Sequence, residues 1–160
     1  MNKKMKYVWI TVVVAILLGF SQLAAASDLI VVATEETQRS SMDWLGFLET
    51  KEVPVRLVTP DAFSEVKGEL FIVVLGSPNE SKEIEEIAKD ALTADELASI
   101  KTEGRMFYKP QAWNVGQKVI LFLGPDQEAV KKARKSTHEK WYEMLTDWFD
   151  IDDLEGFHVY

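Results

Sequence analysis

Leu70-Phe71-Ile72-Val73-Val74-Leu75 runs into Gly76-Ser77-Pro78-Asn79-Glu80, and Val119-Ile120-Leu121-Phe122-Leu123 runs into Gly124-Pro125-Asp126. An unbroken apolar run of this length, closed by a glycine-proline turn, reads as a strand buried on both faces of a parallel sheet. Each turn predicts a helix. Ser77 has the chemistry of a cap, with Pro78 at the first helical position and Glu80 three residues after the cap. Gly124 and Pro125 repeat the arrangement, with Asp126 and Glu128 suited to the positive end of the helix that follows. Two strand-turn-helix units imply an α/β domain of three layers, with a mainly parallel sheet of four or five strands, flavodoxin-like in general architecture.

Outward from this centre the pattern continues in both directions. Leu29-Ile30-Val31-Val32-Ala33 is a compact apolar run and predicts the first strand. A helix follows from near Ser40, where Ser40 and Asp43 have capping-box spacing and Met42, Leu45 and Leu48 share a face with Trp44 beside them. Val55-Arg56-Leu57-Val58-Thr59 alternates, as expected of a strand at or near a sheet edge. Ile84, Ile87, Ala88, Ala91 and Leu92 mark the buried stripe of the helix after Gly76, and Thr93 with Glu96 predicts a second, short helix to about Lys101. Met106-Phe107-Tyr108 offers a short strand before the loop that carries Trp113, whose ring is expected to plug the sheet edge. From Gly124 one long helix is expected, with Ala129, Ala133, Thr137, Trp141, Leu145 and Trp148 recurring every three or four residues. Phe157-His158-Val159-Tyr160 would close the sheet as a further edge strand. Asp150-Ile151-Asp152-Asp153-Leu154-Glu155 looks like a calcium loop but has Glu155 where that loop requires glycine.

The first 26 residues have a different logic. Asn2-Lys3-Lys4-Met5-Lys6 is a basic start, Tyr7 to Phe20 is apolar, and Ala24-Ala25-Ala26 fits a signal-peptidase site, so residues 1–26 read as a secretory leader and 27–160 as one α/β domain. The competing reading is an uncleaved anchor, in which Tyr7 to Leu23 is the only membrane contact. Either way the folded part is exported, extracellular or held in the cell envelope. Loss of Lys3, Lys4 and Lys6 with the leader takes the formal charge from −8 to −11. That balance repels nucleic acid and anionic membrane. With no cysteine, thiol catalysis, thiolate zinc and iron–sulfur chemistry are excluded, and having only His138 and His158 argues against a multi-histidine metal site within one chain. Lys131, Lys132, Arg134, Lys135 and Lys140 form a basic cluster in this acidic chain. They suit an acidic neighbour or a solvated helix face.

Ligands of open α/β sheets bind beyond the carboxyl ends of the strands, where strand order reverses. If the strands at Leu29, Leu70 and Val119 are neighbours, Glu35, Glu36, Ser77, Asn79 and Asp126 meet there. Carboxylates beside an amide suit a hard cation, Ca²⁺ or Mg²⁺; no other cofactor is expected. Each residue also has a structural role in a cap, a first helical turn or a loop. A metal-dependent or acid/base hydrolase using Glu35, Asn79 and Asp126 is the alternative, and Glu35 with Asp126 would be its carboxylate pair. Gly-x-Ser-x-Gly is absent, and Ser136, Thr137 and His138, adjacent on a predicted helix, cannot converge.

From Phe71 to Ala133 the chain resembles a module of archaeal S-layer and related cell-surface proteins. The matching features are the strand ending in Gly76, Pro78 and Asn79, the loop with Trp113 and Gly116, and Val119 to Asp126 followed by Ala129 and Ala133. The chain departs from that pattern at Ser77, where a second glycine is usual, and at Val130, where threonine is usual. The resemblance implies a non-enzymatic envelope module whose partners are cell-envelope or S-layer proteins. It implies no chemistry.

Overall fold

The computed structural model describes residues 27–151. The leader, the acidic stretch beyond Ile151 and the closing strand expected at Phe157-His158-Val159-Tyr160 lie outside the described residues. Five strands form one sheet in the order β2-β1-β3-β5-β4, comprising β1 (Leu29–Val32), β2 (Val55–Val58), β3 (Phe71–Gly76), β4 (Arg105–Pro110) and β5 (Lys118–Leu123). The two apolar runs are parallel neighbours, with Phe71 opposite Lys118 and Gly76 opposite Leu123. β1 and β2 extend the parallel array. β4 runs antiparallel along β5 and covers that side of it. This strand departs from flavodoxin order: it comes back down from the rim and turns into β5 through a hairpin.

Burial on both faces follows the sequence. Ile30, Val32, Ile72, Val74, Val119 and Leu121 face one layer, Leu29, Val31, Val73, Leu75, Ile120 and Phe122 the other, and all are at most 1% exposed. On the first side pack α3 (Phe63–Val66), α4 (Lys82–Ala91) and α5 (Ala94–Ser99), through Phe63, Val66, Ile84, Ile87 and Ala88. On the second pack α1 (Glu35–Ser40), α2 (Met42–Thr50), α6 (Gln127–Ser136) and α7 (His138–Phe149), through Trp44, Leu48, Val130, Trp141 and Leu145. Three layers result, with β2 and β4 as edges.

Several local expectations are corrected. Helix begins at Glu35, capped by Thr34 Oγ1, so Glu35 and Glu36 occupy a first turn and not a loop, and Ser40 caps nothing. The buried stripe of α1 and α2 is Thr37, Ser41, Trp44 and Leu48, whereas Met42 is 62% exposed. Spacings of four, three and four hold one face; of the stripe expected from the sequence, Leu48 lies on that face, Leu45 packs at its margin and Met42 falls off it. The long helix is two helices that meet at Thr137. There the Ser136 and Thr137 hydroxyls both donate to Ala133 O, a back-bonding that bends helices. Among the described residues no helix is long and apolar enough to cross a membrane.

Candidate functional site

The connections leaving β1 and β3 pass to opposite layers, so strand order reverses between them and the crevice expected of an open α/β sheet lies at their carboxyl ends. Glu35, Glu36, Ser77, Asn79 and Asp126 all stand on this rim. Trp113 does not. Its loop joins β4 to β5 at the opposite, amino end of the sheet. There the ring packs on Phe63 with centroids 5.0 Å apart, and Gln117 Oε1 accepts from its backbone N–H.

Ser77 is 2% exposed and caps no helix. Its hydroxyl donates to Pro125 O at 2.8 Å and accepts from Asn79 N at 3.2 Å. Asn79 Nδ2 donates to the same carbonyl at 2.9 Å. Two side chains from the β3 turn therefore share one acceptor in the β5 turn, and the two rims are tied together. The cap of α4 is Ser81, four residues later, whose Oγ accepts from Ile84 N. The cap of α6 is Asp126 and not Gly124: its Oδ1 accepts from Ala129 N at 2.8 Å. Pro78 and Pro125 accordingly sit in turns, outside the helices.

The reversal point itself is spanned by residues that sequence reasoning missed. Gln127 Nε2 donates to Thr37 Oγ1 at 2.8 Å, and Gln127 Oε1 accepts from Ser40 Oγ at 3.3 Å. Gln38 Nε2 donates to Ala33 O at 2.8 Å. Gln127 thus binds α6 to α1, and Gln38 ties α1 back to the end of β1. The available signal is the spacing Thr37-Gln38 after a strand and Gln127 after a capping Asp. At the amino end Gln117, 1% exposed, donates from Nε2 to Lys67 O and Glu69 O, both at 2.8 Å.

A cavity of about 270 Å³ opens on the same rim between the β3 turn and α5, lined by Pro78, Asn79, Leu97, Ile100, Lys101 and the Glu85–Lys89 ion pair. Its volume is at the lower edge of small-molecule sites. Glu85 is held below the usual carboxylate range by its hydrogen bond from Lys89 and then by that lysine's charge. Glu35 and Glu36 are exposed. Among the described residues no three His, Asp or Glu side chains are grouped to hold a metal ion. The rim can clamp two turns and two helices together; Asn79, Lys101 and the Glu85–Lys89 pair are the polar groups that line the open cavity.

Arg134, expected on a solvated face, is buried. It pairs with Asp43 Oδ1 at 3.0 Å and lies over the Trp44 ring at 5.5 Å, while its carbonyl accepts from Trp141 Nε1 at 2.9 Å. Burial raises the Asp43 pKa, but the Arg134 charge, the Trp44 backbone N–H and Lys131 together hold it below its ordinary value. Lys131, Lys132 and Lys135 line an open depression on α6, with Glu128 at its end. Compared with known proteins, the chain matches no family model, no curated protein and no solved structure.

Proposed function

We propose that the chain is an exported, non-enzymatic protein of the cell envelope, an S-layer-like module that works through protein contacts. The observation that carries this is the use to which the rim is put. Ser77 and Asn79 hold Pro125 O, Asp126 holds Ala129 N, and Gln127 bridges Thr37 and Ser40. Groups spent on turns and caps contribute to stability and are poorly placed to move protons or bind a cation. The leader-like start of the sequence and the basic patch on α6 of an acidic chain are consistent with work outside the cell against a charged protein surface.

The test is fractionation of cells expressing the full chain, with N-terminal sequencing of the product and crosslinking before lysis. The protein is expected in the envelope fraction, starting near Ser27 or retaining its anchor, and crosslinked to protein neighbours. Glu35→Ala and Asp126→Ala variants are expected to keep those crosslinks. A cytoplasmic product, or loss of crosslinks from both rim variants with the fold intact, would overturn the proposal.

A further inference from the structure

α6 is a basic strip in an otherwise acidic molecule. It carries Lys131, Lys132, Arg134 and Lys135 against Glu128; Arg134 is buried against Asp43, whose carboxyl also feels Lys131, and Lys132 is exposed beside the open depression. Across the sheet, the turn Pro60–Ala62 and α4 enclose an open groove of about 450 Å³ lined by Asp61, Glu83, Glu86 and Asp90, with Phe63 and Ile87 beneath. Asp90 is answered by Lys67 at 2.6 Å, and Glu86 meets Lys82 only through an exposed pair at 3.7 Å. Asp61 is held to Thr59 and Glu83 to Ser81, neither of which is a cation. The groove therefore keeps net negative charge.

The two surfaces cannot neutralise each other within one copy. Helix layers on either side of a sheet stand about 20 Å apart, at about 10 Å per layer. That exceeds the screening length of about 8 Å at physiological salt. A second copy brings the complementary surface at equal concentration. We infer that copies of this chain associate head to tail, with Lys131 and Lys132 of one copy entering the groove formed by Asp61, Glu83 and Glu86 of the next. This rests on the protein-contact proposal and names its partner. Because the two patches differ and face opposite ways, the contact is heterologous: each pair leaves one basic and one acidic face unused, and the array extends unless its rotation closes a ring. Charge complementarity of this kind fixes register and is strongly salt-dependent.

The experiment is sedimentation velocity on the full chain in nonionic detergent at about 20 mM and about 0.5 M salt, between which the screening length falls from about 20 Å to about 4 Å. Mass is expected to rise with protein concentration at low salt, with the association constant falling at least about tenfold at high salt. K131E/K132E and E83K/E86K are each expected to remain monomeric, with circular dichroism melts checking that both fold. Mixed one to one, they are expected to regain association, since each then offers what the other lacks. A wild-type chain that is monomeric at every concentration overturns the self-pairing, as does association that ignores salt or a mixture that stays apart. The crosslinks in intact cells are read separately, so self-pairing can fail while the envelope proposal stands.

Discussion

At the level of single residues, the most consequential charge in the fold is Arg134. Its side chain is 2% exposed, while Asp43 is half exposed. Removing one partner of a fully buried pair costs about 3 to 5 kcal/mol, because a charge is left without an answer. Water reaches Asp43, so Asp43→Ala is expected to cost less, about 2 kcal/mol in urea unfolding. Adding Arg134→Met to that variant removes the stranded charge and keeps apolar contact with Trp44. The double variant is expected to recover at least half of the loss; a further loss would show that the guanidinium stabilises through stacking and not through the pair. Gly104 sets a different kind of limit. A Cβ there would lie 1.8 Å from Ala129 O, and Gly124 also has Gly104 Cα and Ala129 Cβ at 3.0 Å from its own Cβ position. The start of β4, the end of β5 and the first turn of α6 thus meet backbone to backbone. Gly104→Ala must displace one of them, and a loss of about 3 kcal/mol is expected, read as a lowered urea midpoint with unchanged slope.

Elements are decided by which of several similar signals wins locally. Ser77-Pro78-Asn79-Glu80 and Ser81-Lys82-Glu83-Ile84 both look like helix starts, and the structure uses the second. Ser81→Ala is therefore expected to cost about 1 kcal/mol and to speed amide exchange at Ile84, whose N–H loses its acceptor. Ser77→Ala is expected to leave exchange in α4 unchanged and loosen the turn at Pro125 instead; the reverse pattern would restore Ser77 as the cap. The strands were legible because an apolar run with one period has few alternative uses: β1, β3 and β5 stand where Leu29, Leu70 and Val119 announce them, and the rim that gathers Glu35, Ser77, Asn79 and Asp126 follows from their adjacency. The Thr93–Glu96 capping box was legible, but the caps of α1, α4 and α6 were not, since Ser40, Ser77 and Gly124 fit as well as Thr34, Ser81 and Asp126 until the turn geometry is known. Nor was Arg134, which shares its neighbourhood in sequence with Lys131, Lys132 and Lys135 and is separated from them only by the helix face it falls on. Gln127, partly buried, and Gln117, fully buried, were missed because a bridging amide has no periodic signature; their partners lie 90 and 50 residues away.

For the molecule as a whole, the distribution of carboxylates sets its response to acid. Asp90 is held below its ordinary pKa by the hydrogen bond from Lys67, against burial, with that lysine's charge adding. Glu96 is held down by Lys109, 2.6 Å away, and then by the backbone N–H of Thr93 that completes its capping box. Asp43 is lowered on balance, with Arg134 overcoming the effect of burial. These three carboxylates sit in different layers and contacts: one joins α3 to α4, one joins α5 to β4, and one joins α2 to α6. A carboxyl with a folded pKa below its unfolded value stabilises the fold at every pH above the unfolded value, and that contribution is lost as pH falls through the folded one. Stability is thus expected to be flat from about pH 7 to pH 5 and to fall progressively below about pH 4, where unfolded carboxyls begin to hold protons that the folded ones do not. The chain's 18 lysines and arginines would then face one another with the 26 carboxylates increasingly neutral, adding self-repulsion to the loss. Urea midpoints measured at half-unit steps check this, with Glu96→Gln as the control. That variant is expected to be less stable than wild type near neutrality and to approach it near pH 2 to 3, because the substituted amide has no charge to lose; parallel curves would mean that Glu96 acts through its shape and not through its ionisation.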